Sequence, residues 1–143
     1  MKIHYTNSED EIKSVIYSFY NDLVYDDSPS LEDLVVDNSV WLILLDDQEA
    51  VAGVITFEYI NNVLWMPHVF IYEQYRGKNS DQWGKLAVEF MRKNFNAQKF
   101  LALTPYLSAL RYAEMVGFKC IATLSKSVKK NGVLLDQYVL EME

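Results

Sequence analysis

The sequence predicts a mixed α/β domain, a mixed sheet with helices on both faces, and three observations lead there. Early apolar residues recur at helical spacing, from Ile12 through Val15, Ile16, Phe19, Tyr20 and Leu23. From Val40 the pattern changes to short β-branched and aromatic runs punctuated by Asp, Asn and Gly. Two further helical stretches, after Ser80 and after Pro105, alternate with such runs. The resulting order is β-α-α-β-β-β-α-β-α-β-β, and the length of 143 residues fits one domain spanning 1–143.

Each element follows from local chemistry. Lys2 to Thr6 reads as a first strand. Ser8 and Glu11 have the spacing of a capping box at the start of the first helix, which should end near Tyr25 before Asp26, Asp27, Ser28 and Pro29. A short second helix is expected from Ser30, with Leu31, Leu34 and Val35 inward. Val40–Leu45, Val51–Ile60 and Val63–Tyr72 form a meander turned by Asp46–Glu49 and Asn61-Asn62. Pro67 lacks an N–H, so a bulge or splay is expected in the third strand. A polar turn at Arg76–Ser80 then leads into a helix facing inward through Trp83, Leu86, Ala87, Phe90 and Met91. Lys99–Thr104 is a strand and Pro105–Val116 a helix stopped by Gly117. Phe118–Ser125 and Val133–Glu141 are strands joined through Asn131-Gly132, the residue pair of a type I′ turn.

Composition narrows the function. Half the residues are hydrophobic and 14% are aromatic, enough for a packed core and against disorder. Thirteen Lys and Arg against twenty Asp and Glu leave a net charge of −7, which repels nucleic-acid backbone and anionic membrane. No apolar stretch approaches the length of a membrane span and no signal peptide is present, so a cytoplasmic protein is expected. Cys120 is the only cysteine, excludes an internal disulfide, and lies in a run that predicts a buried, inert thiol. Two histidines without shared spacing argue against a metal site.

The segment His68–Phe95 holds a strand, a Gly-containing turn and a helix N-terminus in succession. Such a turn exposes unpaired backbone N–H groups where the helix dipole adds positive potential, which suits a phosphate. Arg76, Gly77, Lys78, Asn79 and Ser80 are the candidate contacts. His68 is the leading base candidate, because its ordinary pKa lies near neutrality, and Glu58 on the preceding strand can act through a water.

Ile71-Tyr72-Glu73-Gln74-Tyr75-Arg76-Gly77-Lys78 resembles the strand end and first half of the Arg/Gln-x-x-Gly-x-Gly/Ala turn of the GNAT superfamily of acyl-CoA-dependent N-acyltransferases. Ser108–Phe118, ending in Gly117-Phe118, resembles that family's second cofactor helix. The resemblance covers nearly the whole chain. It implies a mostly antiparallel sheet of six to seven strands, acetyl-CoA as co-substrate without a metal, and direct attack by an amine. It also implies that the turn's amides hold the coenzyme A diphosphate, and that an amide of Ile71 or Tyr72 polarises the thioester carbonyl if this strand splays.

Three positions depart from the family pattern. Asn79 and Asp81 stand at the turn's fourth and sixth positions, where small residues are usual. Asn tolerates the left-handed region, but the Asp81 carboxylate repels a diphosphate unless Arg76 or Lys78 neutralises it. The family's acidic Tyr position is Ala113, with Tyr112 one residue earlier and about 100° round the helix. Tyr112 and Ser108 are therefore the candidate proton donors to the thiolate, with Tyr106 behind them. The acidic balance points to a cationic amine acceptor, either a small molecule or a lysine side chain. The competing expectation is a GNAT-like protein with weakened motifs in a binding or structural role, such as a bacteriophage virion component. Tyr25, Tyr59 and Tyr75 are candidates for a homodimer or assembly surface.

Overall fold

The computed structural model describes residues 1–23, 39–77 and 79–143. Seven strands form one sheet: β1 (Lys2–Thr6), β2 (Ser39–Leu45), β3 (Val51–Tyr59), β4 (Leu64–Ile71), β5 (Lys99–Thr104), β6 (Lys119–Lys130) and β7 (Val133–Met142). Their order across the sheet is β1-β2-β3-β4-β5-β7-β6. Every pairing is antiparallel except β4 with β5. Three helices are described: α1 (Glu9–Leu23), α2 (Asp81–Asn94) and α3 (Leu107–Val116). The second helix expected from Ser30, and Tyr25, lie outside the described residues. No described helix is long and apolar enough to cross a membrane.

The helices divide the core into two faces. Ile12, Ile16 and Phe19 of α1 are buried against Trp41, Val54 and Phe70 on one side of the sheet. The other side carries the larger cluster, where Trp83, Ala87, Val88 and Met91 of α2 and Leu110 of α3 meet Leu42, Leu44, Phe57 and Phe100. Each such side chain contributes roughly 1.5–3 kcal/mol when fully buried. Leu86, expected inward, is exposed, whereas Gly84 and Val88 are buried. The buried face of α2 is rotated because α3 packs beside it at Gly84, where an added Cβ would lie 2.5 Å from Val116.

Other expectations are corrected at specific atoms. Only half of the capping box forms: Ser8 Oγ accepts from the Glu11 amide at 3.3 Å. The Glu11 carboxylate instead meets His4 at 3.0 Å, and the Ser8 amide donates to Thr6 Oγ1. Strand β6 runs five residues beyond Ser125, through two register shifts, and Lys126 takes a positive φ of 47°. Cys120 is exposed on this edge strand, not buried. Asn131 and Gly132 have φ of 52° and 76°, the left-handed pair that the tight hairpin requires. Tyr75 is tied inward, its hydroxyl donating to Asp46 at 2.7 Å.

Pro67 does not bulge β4 away from β3, for the register Gly53↔Ile71 through Tyr59↔Trp65 is unbroken. The Tyr72 amide donates to Ala52 at 2.9 Å, so alternation turns the amides of residues 71, 69 and 67 to the opposite edge. Pro67 therefore removes no donor from the β3 ladder. On that opposite edge β4 pairs with β5 only through Leu64↔Lys99 and Trp65↔Phe100, and the splay opens there.

Gly53 lets β3 approach β4 beside the splay. An added Cβ would lie 2.2 Å from the Phe70 carbonyl oxygen and 2.9 Å from Ile71 Cα, both backbone atoms. Gly53→Ala is expected to destabilise the fold by about 2 kcal/mol or more, read as a lower urea midpoint at constant m-value; an unchanged midpoint would refute the close approach.

Candidate active site

Where β4 and β5 part, a cavity of about 690 Å³ opens between the strand ends, the start of α2 and one side of α3. Two of its walls come from the candidate segments. Ile71, Arg76, Gly77 and Ser80 line it from the strand and turn, and Ser108 and Tyr112 from α3. His68 also borders it, together with Thr104 and Tyr106, which the sequence left in the background.

Backbone donors dominate the turn. Gly77 and Asn79 have φ of 73° and 59°, so Asn79 occupies the left-handed position that its side chain tolerates. The amides of Gly77, Asn79, Ser80 and Asp81 donate to no acceptor among the described residues. A Cβ on Gly77 would meet nothing within 4 Å, so the turn is open on that side. Lys78 lies outside the described residues. Four such donors at a helix N-terminus match the chemistry of a diphosphate.

Charge around the turn is arranged differently from the expectation. Asp81 is paired by Lys85 at 3.1 Å, one helical turn on. Arg76 is folded back, its Nε donating to the Ile71 carbonyl at 2.7 Å and its guanidinium lying 5.5 Å over the Phe70 ring. The i,i+4 spacing of Asp81 and Lys85 was the sequence signal for this pairing.

On β4, the free strand edge holds the Ile71 amide toward the cavity. Tyr72 cannot supply the carbonyl-polarising donor, because its amide is spent on Ala52 and its ring packs on Phe19 at 4.5 Å on the α1 face. Glu58 lies outside the cavity lining but meets His68, with Oε2 3.2 Å from Nε2. The hydrogen bond from His68 holds the Glu58 carboxyl below the usual carboxylate range against the opposing effect of partial burial. Two residues chosen separately thus form one unit, with His68 the inner member.

Tyr112 is the most constrained candidate. Its hydroxyl donates to the Ser80 carbonyl at 2.9 Å. Burial pushes its phenol well above the usual range; the Gly84 amide opposes that rise and the Asp81 carboxylate adds to it. A raised phenol pKa stabilises the fold fully below the unfolded value near 10, and that contribution is lost as pH climbs through the folded value. In a spectrophotometric titration, Tyr112 is expected to ionise only as the protein unfolds in alkali, and Tyr112→Phe should remove that contribution. An alkaline titration of the folded protein that Tyr112→Phe leaves unchanged would contradict the burial.

No family profile matches the sequence, and no curated protein matches it. Solved structures do match. A mutant of the spermidine N-acetyltransferase SpeG from Vibrio cholerae superposes with a TM-score of 0.81 at 15% identity, over 99% of this chain and 94% of the other. The Vibrio cholerae enzyme in complex with CoA and spermine gives 0.80 at 15% identity, over 98% and 94%. A chimeric form gives 0.80 at 14% identity, over 99% and 95%. With seven strands in this order, one parallel junction and a match along nearly its whole length, the chain has the GNAT fold.

Proposed function

We propose that this protein is an acyl-CoA-dependent N-acyltransferase that moves an acetyl group from acetyl-CoA to an amine by direct attack. The observation that carries this reading is the splay after Trp65, which leaves the Ile71 amide facing a cavity that the turn also lines through Gly77 and Ser80, whose amides are unspent among the described residues. Acetyl-CoA supplies the acyl group, activated as a thioester. The amides of Gly77, Asn79 and Ser80 hold its diphosphate, and Lys78 and Arg76 add positive charge. The Ile71 amide donates to the carbonyl oxygen on which negative charge develops. His68 takes the proton lost by the amine as the new C–N bond forms and the C–S bond breaks, and Glu58 orients the imidazole and stabilises its charge.

The acceptor is a cationic amine. The net charge of −7 attracts it, and the structural neighbours carry the names of spermidine N-acetyltransferases, one in complex with spermine. The reacting nitrogen gives one proton to solvent to become a neutral nucleophile, and the second passes to His68 as the C–N bond forms. A second reading has the GNAT fold retained for a binding or structural role, as in a virion component. It is favoured by Asp81, a carboxylate in the first turn of α2 where the diphosphate would sit.

Isothermal titration of the folded protein with acetyl-CoA separates the two: a Kd in the micromolar range supports the transferase, and no heat sinks it. Asp81→Asn should tighten binding about threefold, since a charge at a helix N-terminus is worth about 0.3–1 kcal/mol; weaker binding would mean that the carboxylate helps. His68→Ala should lower kcat about a hundredfold with little change in coenzyme affinity, and wild-type turnover would remove His68 as the base.

A further inference from the structure

In a regular first turn of α2 the Gly84 amide would donate to the Ser80 carbonyl, four residues back. It does not. The Ser80 oxygen accepts from the Trp83 amide at 3.2 Å and from the Tyr112 hydroxyl at 2.9 Å, so two helices share one carbonyl. The phenol thus ties the opening turn of α2 to α3, and Gly84 makes room for it. A Cβ on Gly84 would lie 3.0 Å from the Tyr112 hydroxyl oxygen and 2.5 Å from Val116.

This tie acts on the donors of the turn. In a trans peptide the C=O of one residue and the N–H of the next point in opposite directions. Holding the Ser80 carbonyl inward therefore aims the Asp81 amide outward, beside the unspent amides of Gly77, Asn79 and Ser80. The same bond commits the phenol's hydrogen, and burial opposes its ionisation. A proton donor to a thiolate must release that hydrogen, whereas a clamp must keep it.

We propose that Tyr112 is a positioning residue, whose hydroxyl clamps the first turn of α2 so that its amides face the diphosphate of the coenzyme. The proton for the departing thiolate comes from another group. This rests on the transferase reading and assigns one residue a task within it. The clamp also joins the two cavity walls, because displacing α3 would loosen the turn on α2.

The test compares Tyr112→Phe with wild type using two acyl donors, acetyl-CoA and S-acetylpantetheine, which lacks the diphosphate. For Tyr112→Phe the Kd of coenzyme A should rise about tenfold, as expected for a buried carbonyl losing one of its two donors and a turn released from its anchor. At saturating acetyl-CoA, kcat should stay within about twofold, and kcat/KM for S-acetylpantetheine should likewise change by less than about twofold. A hundredfold fall in kcat with both donors, at unaltered coenzyme affinity, would make Tyr112 the acid and overturn the proposal. Amide exchange of the unliganded protein provides a readout independent of activity: Trp83 N–H, which shares the Ser80 oxygen with the phenol, should exchange about tenfold faster in Tyr112→Phe, and equal protection refutes the clamp. Should wild type bind no coenzyme A, the transferase reading fails by itself and the exchange result still decides the clamp. If Tyr112→Phe does not fold, Gly84→Ala, which crowds the same hydroxyl, is judged by the same affinity and exchange criteria.

Discussion

The parting of β4 from β5 after a two-residue parallel pairing is the constraint on which the rest of the molecule depends. A sheet continuous at this point would spend the amide of Ile71 on its neighbour and close the space that the cavity occupies. Pro67 makes the separation inexpensive, since its missing N–H falls on the edge where no ladder continues. The intact β3–β4 register on the other side, drawn tight at Gly53, keeps the free edge straight. The opening is therefore supported by one rigid strand pair and does not weaken the sheet as a whole.

The second determinant is the start of α2. Its turn carries two left-handed residues, Gly77 and Asn79, and a group of amides without acceptors among the described residues. Unpaired donors in a folded chain are costly unless solvent or a ligand takes them. The surroundings stiffen this turn from three sides: Arg76 is tied to β4, Asp81 to Lys85, and Ser80 to Tyr112 on α3. Such stiffening suits recognition of an anion by main-chain groups, because donors already held in place lose little entropy on binding. It also explains how a carboxylate is tolerated in the first helical turn, where Lys85 screens it.

Placed across the splay from the turn, the His68–Glu58 pair gives the cavity distinct ends. One is a cluster of hydrogen-bond donors, matched to phosphate oxygens. The other pairs an imidazole with a carboxylate, matched to an amine that must lose a proton. His68 and Ile71 both lie on β4, so a single strand sets the relation between these two chemistries.

The sequence alone determined the order of the described strands and helices, because burial of one face writes a period of two or 3.6 directly into the residue pattern. It also determined the left-handed positions at Asn79 and at Asn131-Gly132, since few residue types accept that geometry. What it left open or misplaced depended on partners distant in the chain. Leu86 and Val88 exchanged roles because α3 docks at Gly84, 32 residues before Val116, and Cys120 is exposed because β6 is an edge. Tyr72 and Ile71 differ by one residue, yet sheet pairing spends the amide of the first and spares that of the second. The destination of the Tyr112 hydroxyl was likewise settled only by tertiary structure, for a one-residue shift on a helix changes direction by about 100° and the new neighbour is whatever the fold puts there.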